Sequence, residues 1–288
     1  HFKDGELNFL IDNSNKFKLY INVSDNETLK SSLRIFNKAF KNNIEQQITT
    51  FYYRIFLIFT QIWNVENNCS YVHASAIEVK GESILFTADS GVGKSSLLFK
   101  LSQDDNFKFI ADDLTIISKQ SESYYQGRCL SVKPYHLNFY NFLTDRLDLL
   151  MSRMHKLQWK ILNNNRLTYR ISPNDLFTSV SEKSKIKCII HLCNHDKDIF
   201  EIKNITNEEL INFTIPILTN ELFLGNHKLN TLASLPFSPF MSTSKIYAAS
   251  EDILNSAFKN IPLKLVLVPY MSNPNKLYNF LNNEGCLN

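Results

Sequence analysis

The chain is most tightly constrained at Ala88-Asp89-Ser90-Gly91-Val92-Gly93-Lys94-Ser95-Ser96. A short apolar strand, Glu82-Ser83-Ile84-Leu85-Phe86-Thr87, runs into this stretch, and Leu97-Leu98-Phe99-Lys100-Leu101 begins a helix after it. Strand, glycine turn and helix N-terminus in that order imply an α/β core with helices packed on a sheet. The same order aims several backbone N–H groups at one point, where an anion is favoured. Lys94 adds a full positive charge there, and the Ser95 hydroxyl can hold Mg²⁺, so the stretch reads as a phosphate-binding loop. The usual first glycine of G-x-x-x-x-G-K-[ST] is Ala88 here, and a Cβ opposes positive φ at that point. The chain has only 7 glycines, so two of them directly before Lys-Ser are hard to assign to chance. The competing reading is a plain strand-to-helix turn.

Composition narrows the setting. With 44% hydrophobic and 20% charged residues the chain is globular rather than disordered. A net charge of +3 suits a phosphate ligand but is too small to point to nucleic acid. Five cysteines, Cys69, Cys129, Cys188, Cys193 and Cys286, stand at irregular spacing, so no disulfide framework is expected and a reducing cytoplasm is. The apolar run over 51–63 contains Arg54 and Gln61 and is too short to span a membrane; a buried helix is expected. The chain begins at His1, consistent with N-terminal processing or a tag remnant, and shows no secretory signal.

Periodicity predicts strands Leu7–Asp12 and Phe17–Val23, then a helix capped by Ser24 and Glu27 with the stripe Leu29, Leu33, Phe36, Phe40 and Ile44. After an apolar helix over about 50–65 come strands Ser70–Val79 and Ser83–Thr87, joined by a tight hairpin at Lys80-Gly81-Glu82. The loop helix runs to about Ser102. Strand 107–111 ends in Asp112-Asp113, and Leu114–Ser118 opens an antiparallel pair. From Arg128 to Arg170 there are eight basic residues and two acids, in a stretch expected to be mostly helical. It reads as a docking face for an acceptor or as a solvated helix surface. Strands Ile186–Leu192 and Ile199–Lys203 follow, then a helix capped by Thr206 and Glu209 that breaks near Pro216. Residues 225–248 read as loop. Helix Ser250–Asn260, strand Leu263–Val268 and helix Asn273–Asn282 close the chain. The expected organisation is an N-terminal accessory domain over 1–66 and a nucleotide-binding α/β domain over 67–288.

Asp112-Asp113 lies 17 residues after Ser95 at the end of an apolar strand. That strand is expected beside the one feeding the loop, which brings both carboxylates to the phosphates. There one can bind Mg²⁺ and the other take a hydroxyl proton; the plain alternative is an exposed acidic turn. His73, in Tyr71-Val72-His73-Ala74-Ser75-Ala76, is by itself an ordinary core histidine, but it precedes the loop strand. Cys188, His191, Cys193 and His195 are metal-ligand types within eight residues. Only the last three share a strand face, so buried strand cysteines are preferred to zinc. No N-K-x-D guanine motif and no G-x-S-x-G elbow occur, which disfavours a GTPase and a serine hydrolase.

Taken together, His73-Ala74-Ser75-Ala76 with its hairpin, Asp89 to Ser96, and Ile110-Ala111-Asp112-Asp113 resemble the kinase core of the HPr kinase/phosphorylase family. The likeness is to its stand-alone serine kinases of peptide-modification gene clusters. Val132-Lys133-Pro134-Tyr135-His136-Leu137 and Tyr169–Leu176 echo those small kinases more weakly. The resemblance implies a P-loop α/β kinase core with a mixed sheet, preceded here by a small α+β domain. It implies ATP- and Mg²⁺-dependent phosphorylation of a serine hydroxyl on a peptide or protein. Carried over, the nucleotide sits on Asp89, Ser90, Gly91, Val92, Gly93, Lys94, Ser95 and Ser96. Lys94 contacts the β- and γ-phosphates, Ser95 and Asp113 hold the metal, Asp112 is the base and His73 lies beside the phosphates. The roles of Asp112 and Asp113 can be exchanged. Ala88 in place of glycine bears on nucleotide affinity. A small-molecule kinase, acting on free serine or a sugar, and a non-catalytic nucleotide-binding regulator are the alternatives. No nucleic acid and no membrane span are expected, and a homo-oligomer is open.

Overall fold

The computed structural model describes residues 2–4, 7–12, 18–23, 52, 56–162, 168–224, 241–270 and 272–288. The helix expected around Leu29 to Ile44, with its Ser24–Glu27 cap, lies outside the described residues. Three antiparallel strands, β1 (Phe2–Asp4), β2 (Leu7–Asp12) and β3 (Lys18–Val23), form a small sheet. Helix α1 (Leu57–Glu66) covers the later part of the expected apolar helix.

The rest builds a nine-stranded mixed sheet among the described residues. It holds β4 (Cys69–Val72), β5 (Ala74–Val79), β6 (Glu82–Ala88), β7 (Phe107–Ala111), β8 (Thr115–Ser118), β9 (Glu122–Tyr124), β12 (Lys183–His195), β13 (Glu201–Asn204) and β14 (Leu263–Pro269). Strands β10 (Leu130–Val132) and β11 (Tyr169–Ile171) form a separate ribbon. The β5–β6 hairpin turns on Lys80 and Gly81, both with positive φ (54° and 87°). Such a two-residue turn matches the right-handed twist of the flanking strands.

Two expectations about this sheet are corrected. The strand expected over Ser70–Val79 is two strands that change partners at His73: β4 pairs β8, whereas β5 pairs β6 and β7. The path β4-β8-β9-β12-β6-β5 thus begins and ends either side of one residue, so this part of the sheet curls round on itself. In addition, β7 does not lie beside β6. Strand β5 stands between them, antiparallel to both. Since β6 and β7 are therefore parallel to each other, their C-terminal ends still emerge at one edge.

Alternation of side chains along buried strands divides the core into two faces. Ile84 and Phe86 of β6 and Ile190 of β12 pack with Phe99 and Phe109 on one face. There they meet α2 (Lys94–Leu101) and α7 (Pro274–Asn283) through Leu97, Leu98, Leu277 and Leu281. Leu85 and Ile189 point to the other face, against α5 (Asn207–Thr219) and α6 (Thr243–Phe258), through Leu210, Leu254 and Phe258. Each fully buried Phe or Leu contributes about 1.5–3 kcal/mol. Helix α1 adds Leu57, Ile58 and Ile62 to a third cluster with Tyr71, Leu114, Ile246 and Ile253.

Further differences have local causes. The stretch 128–170, expected to be mostly helical, contains the β10–β11 ribbon and a 3-10 turn over Pro134–Asn138. Helices α3 (Asn141–Leu150) and α4 (Arg153–Leu162) also lie within it. The capping box is present, with Thr206 N donating to Glu209 at 2.7 Å and Glu209 N donating to Thr206 Oγ1 at 3.2 Å. The helix it starts does not break at Pro216 but runs through it. Pro216 and Asn212, whose carbonyl loses its helical partner, both lie on the exposed face, where solvent can reach the carbonyl. Helix α6 begins at Thr243 rather than Ser250 because Ser250 is part of its buried stripe. Its hydroxyl donates to Ile246 O at 2.6 Å, so a polar residue interrupts the apolar period in sequence but not in structure. Strand β12 is also longer than its apolar centre. No helix among the described residues is long and apolar enough to cross a membrane.

Candidate active site

Gly91 and Gly93 have φ of 89° and 117°, and a Cβ on either would meet nothing within 4 Å. Glycine is used there for backbone freedom, not for space. Gly93 is the N-terminal cap of α2, so the turn delivers the helix N-terminus to the end of β6. Ala88 is fully buried as the last residue of β6 and does not have a positive φ. The backbone penalty expected from losing a glycine at this position is therefore absent.

Lys94 is buried, and its Nζ donates to Ala88 O at 2.7 Å and Asp89 O at 3.0 Å. Burial lowers its pKa to about 8 against the pull of Asp113, Asp112 and Asp89. Asp112, 3% exposed, accepts two serine hydroxyls on Oδ1, from Ser75 at 2.9 Å and from Ser95 at 3.0 Å. Burial and the neighbouring Asp113 raise its pKa, while the two serine bonds oppose the rise.

Asp113 is different. Its φ is 75°, and its side chain is 44% exposed. It accepts from Arg128 Nη2 at 3.0 Å and lies 3.9 Å from His73 Nδ1. Desolvation alone would raise its pKa, but Arg128, His73 and Lys94 outweigh it and hold the carboxyl below its usual range. His73 is buried, and its Nδ1 makes no hydrogen bond. Burial, then Lys94, lowers its pKa to about 4, so the ring is neutral at pH 7.

These side chains meet in one cavity of about 330 Å³. Ser90, Gly91, Gly93, Lys94, Ser95 and Ser96 line it together with His73, Asp112 and Asp113. Of the expected loop residues, Asp89 and Val92 are not in the lining; Asp89 is exposed and Val92 packs on the core. The rest of the lining is Ser131, Lys133, Tyr135, His136, Thr168, Arg170 and Glu221. All of these but Glu221 fall within the stretch 128–170 that the sequence suggested as a docking face, and Val132–Leu137 and Tyr169–Leu176 carry the weaker likeness to small kinases, but none was singled out as a site residue. Glu221, in a π turn over Asn220–Leu224, left no signal. Burial and Asp113 raise its pKa.

The ribbon is placed by its own alternation. Leu130, Val132 and Ile171 enter the core, while Ser131 and Arg170, a cross-strand pair, line the cavity. The 3-10 turn is held by His136, whose Nδ1 accepts from Lys133 N at 2.9 Å and whose ring meets the Phe99 edge at 4.8 Å. Tyr140 OH donates to Ser96 O at 2.7 Å, which ties the start of α3 to α2.

The other ligand-type residues go elsewhere. His191 Nδ1 is 2.9 Å from Thr87 Oγ1 and its ring stacks on Phe213 at 4.6 Å. His195 Nε2 is 2.8 Å from Ile199 O. Among the described residues, no three His, Cys, Asp or Glu side chains are grouped to hold a metal. Arg153 and Lys156 of the basic stretch are not in the cavity lining, and Lys156 pairs with Asp148 at 3.0 Å.

No protein-family model matches the chain. Among curated proteins it is similar to the HPr kinase/phosphorylases of two strains of Leptospira biflexa serovar Patoc, each 34% identical over 95 residues. That match covers 32% of this chain, and the chain spans only 29% of the length of those relatives. A comparison with the solved HPr(Ser) kinase/phosphatase from Coxiella burnetii covers 75% of this chain and 97% of that one, at 12% identity and a TM-score of 0.34. Over those 95 residues the chain is similar in sequence to HPr kinase/phosphorylases.

Proposed function

We propose that the chain is an ATP- and Mg²⁺-dependent kinase that transfers the γ-phosphate to a serine hydroxyl of a peptide or protein. The observation that carries this reading is the meeting of Lys94, the Ser95–Asp112 pair and Asp113 in one cavity at the N-terminus of α2. Phosphoryl transfer asks a protein mainly for positioning and charge, and these residues are the types that supply both. Lys94 and the N–H groups of the glycine turn would hold the phosphates. Ser95 Oγ and Asp112 Oδ1, 3.0 Å apart, are hard oxygen donors of the kind that suit Mg²⁺, which when bound neutralises phosphate charge.

The geometry favours exchanging the roles that the resemblance implied for the two aspartates. Asp112 is buried against Ser95, so we assign it to the metal side. Asp113 is half-exposed and held ionised by Arg128, so we assign it to accept the acceptor hydroxyl's proton. His73, neutral and 3.9 Å from Asp113, would stand beside that carboxylate without adding charge. In the same reading 67–288 is the kinase unit, 1–66 an accessory region with α1 docked on the kinase core, and the setting is the cytoplasm. Incubation with serine peptides, ATP and Mg²⁺ tests it by mass spectrometry. Phosphoserine should form and should disappear in Asp113→Asn while ATP binding persists. Phosphate on free small molecules only, or ATP binding that never leads to transfer, would replace it with one of the two alternatives.

A further inference from the structure

Resting on the kinase reading, we infer that the ribbon-and-turn part of the cavity is a subsite for an anionic group beside the acceptor serine, so that the substrate class is an acidic-flanked serine peptide. Cations of the ribbon side, Lys133 and Arg170, line the same cavity as Lys94 and Asp113. They are brought there by the fold rather than by chance exposure. Arg170 is paired across the ribbon with Ser131, on the face turned away from the buried Leu130, Val132 and Ile171. Lys133 directly follows β10 and opens the 3-10 turn.

A second observation points to a ligand at the same place. His136 is 1% exposed and lines the cavity. Its Nδ1 accepts the Lys133 N–H, so the neutral ring carries its proton on Nε2, and Nε2 has no hydrogen-bond partner. A buried N–H donor without an acceptor is costly, and an anionic oxygen is what satisfies it best. This side therefore offers two cations and an unmatched neutral donor, and the ribbon and turn contribute no carboxylate to the lining. Phosphate donors are already concentrated on the loop, in Lys94 and the N–H groups at the start of α2. The positive charge that Lys133 and Arg170 bring to the ribbon side of the lining is assigned to the acceptor.

The test uses two labelled serine peptides that differ only in Asp or Asn next to the serine, with the full chain and its Arg170→Gln variant. Fluorescence anisotropy should find the Asp peptide bound about tenfold more tightly, as a single charge-assisted contact allows. Arg170→Gln should abolish that preference and leave the affinity for ATP unchanged. Equal binding of the two peptides, or binding of neither, overturns the inference. So does a preference that survives in Arg170→Gln while ATP binding weakens, since the cation then serves the nucleotide. Phosphoserine formation is read separately by mass spectrometry. Preference without phosphate would keep the subsite and sink the kinase reading, whereas phosphate without preference would do the reverse.

Discussion

Apart from His73 and Glu221, the cavity lining falls into two parts with different origins. The loop part comes from Ala88 to Ser96 and Asp112-Asp113, close in sequence and set at neighbouring ends of the parallel-running β6 and β7. The ribbon part comes from residues 131–136 and 168–170, joined by the antiparallel pairing of β10 and β11. The loop part is rigidly held, with Lys94, Ser95 and Asp112 all satisfied by short local bonds. The ribbon part keeps an unmatched donor and two cations at the lining. The contrast suggests that a site's invariant chemistry can be carried by one continuous segment while its selectivity is assembled from distant ones.

The largest effect should come from the loop part. Lys94→Ala removes its only cation, and kcat/KM should fall on the order of a hundredfold or more, with weaker ATP binding by titration. An unchanged variant would break the comparison at its root. The pH profile sharpens it. Lys94 is charged below its pKa of about 8, so kcat/KM for ATP in the free enzyme should decline as pH rises through that value.

A separate effect belongs to stability. His73, His136 and His191 are buried and neutral, with pKa values lowered to about 4, 3 and 4. Between their ordinary value near 6.5 and those values the unfolded chain binds the protons and the folded chain does not. Stability therefore falls as pH drops from about 6.5 toward 4, by up to about 1.4 kcal/mol per pH unit for each histidine. Urea midpoints across that range check it. A flat profile would mean that these buried histidines are not held neutral.

Next comes Ser75→Ala. It removes one of the two hydroxyls that Asp112 accepts, and should cost about 1–2 kcal/mol in urea midpoints. It should also raise the Mg²⁺ concentration needed for half-maximal transfer. No change in that concentration would limit Ser75 to packing. The smallest effect is expected at Ala88→Gly. Because Ala88 already sits in a strand without positive φ, glycine should leave ATP affinity unchanged and cost about 0.5–1 kcal/mol of stability.

The same division decides what was legible in the sequence. The strand, glycine turn and helix could be read because every cue is local: apolar run, two glycines, Lys-Ser. Asp112-Asp113 was found by spacing, although the expected strand adjacency was wrong and β5 intervenes. The break at His73 was invisible, because a strand that changes partners keeps its apolar pattern. Ser250 hid a turn of α6, and Pro216 announced a break that an exposed helix face tolerates. Glu221 carried no local sign of a site, and Arg170 only that of a basic stretch and a weak likeness. Their place depends on which strand the ribbon pairs and where a helix ends, and neither is encoded within a few residues.

Asp113 has a backbone that few side chains accept. At φ 75° glycine and asparagine fit, whereas β-branched or bulky residues are strained. The substitutions that the backbone tolerates best at this position are thus ones that remove its negative charge. Aspartate and asparagine codons differ by one nucleotide. Descent from such a chain to a well-folded protein lacking the Asp113 charge is therefore short, and the opposite journey equally so. In a collection of related sequences, the residue at this one left-handed position would sort chains that keep the carboxylate from those that have dropped it.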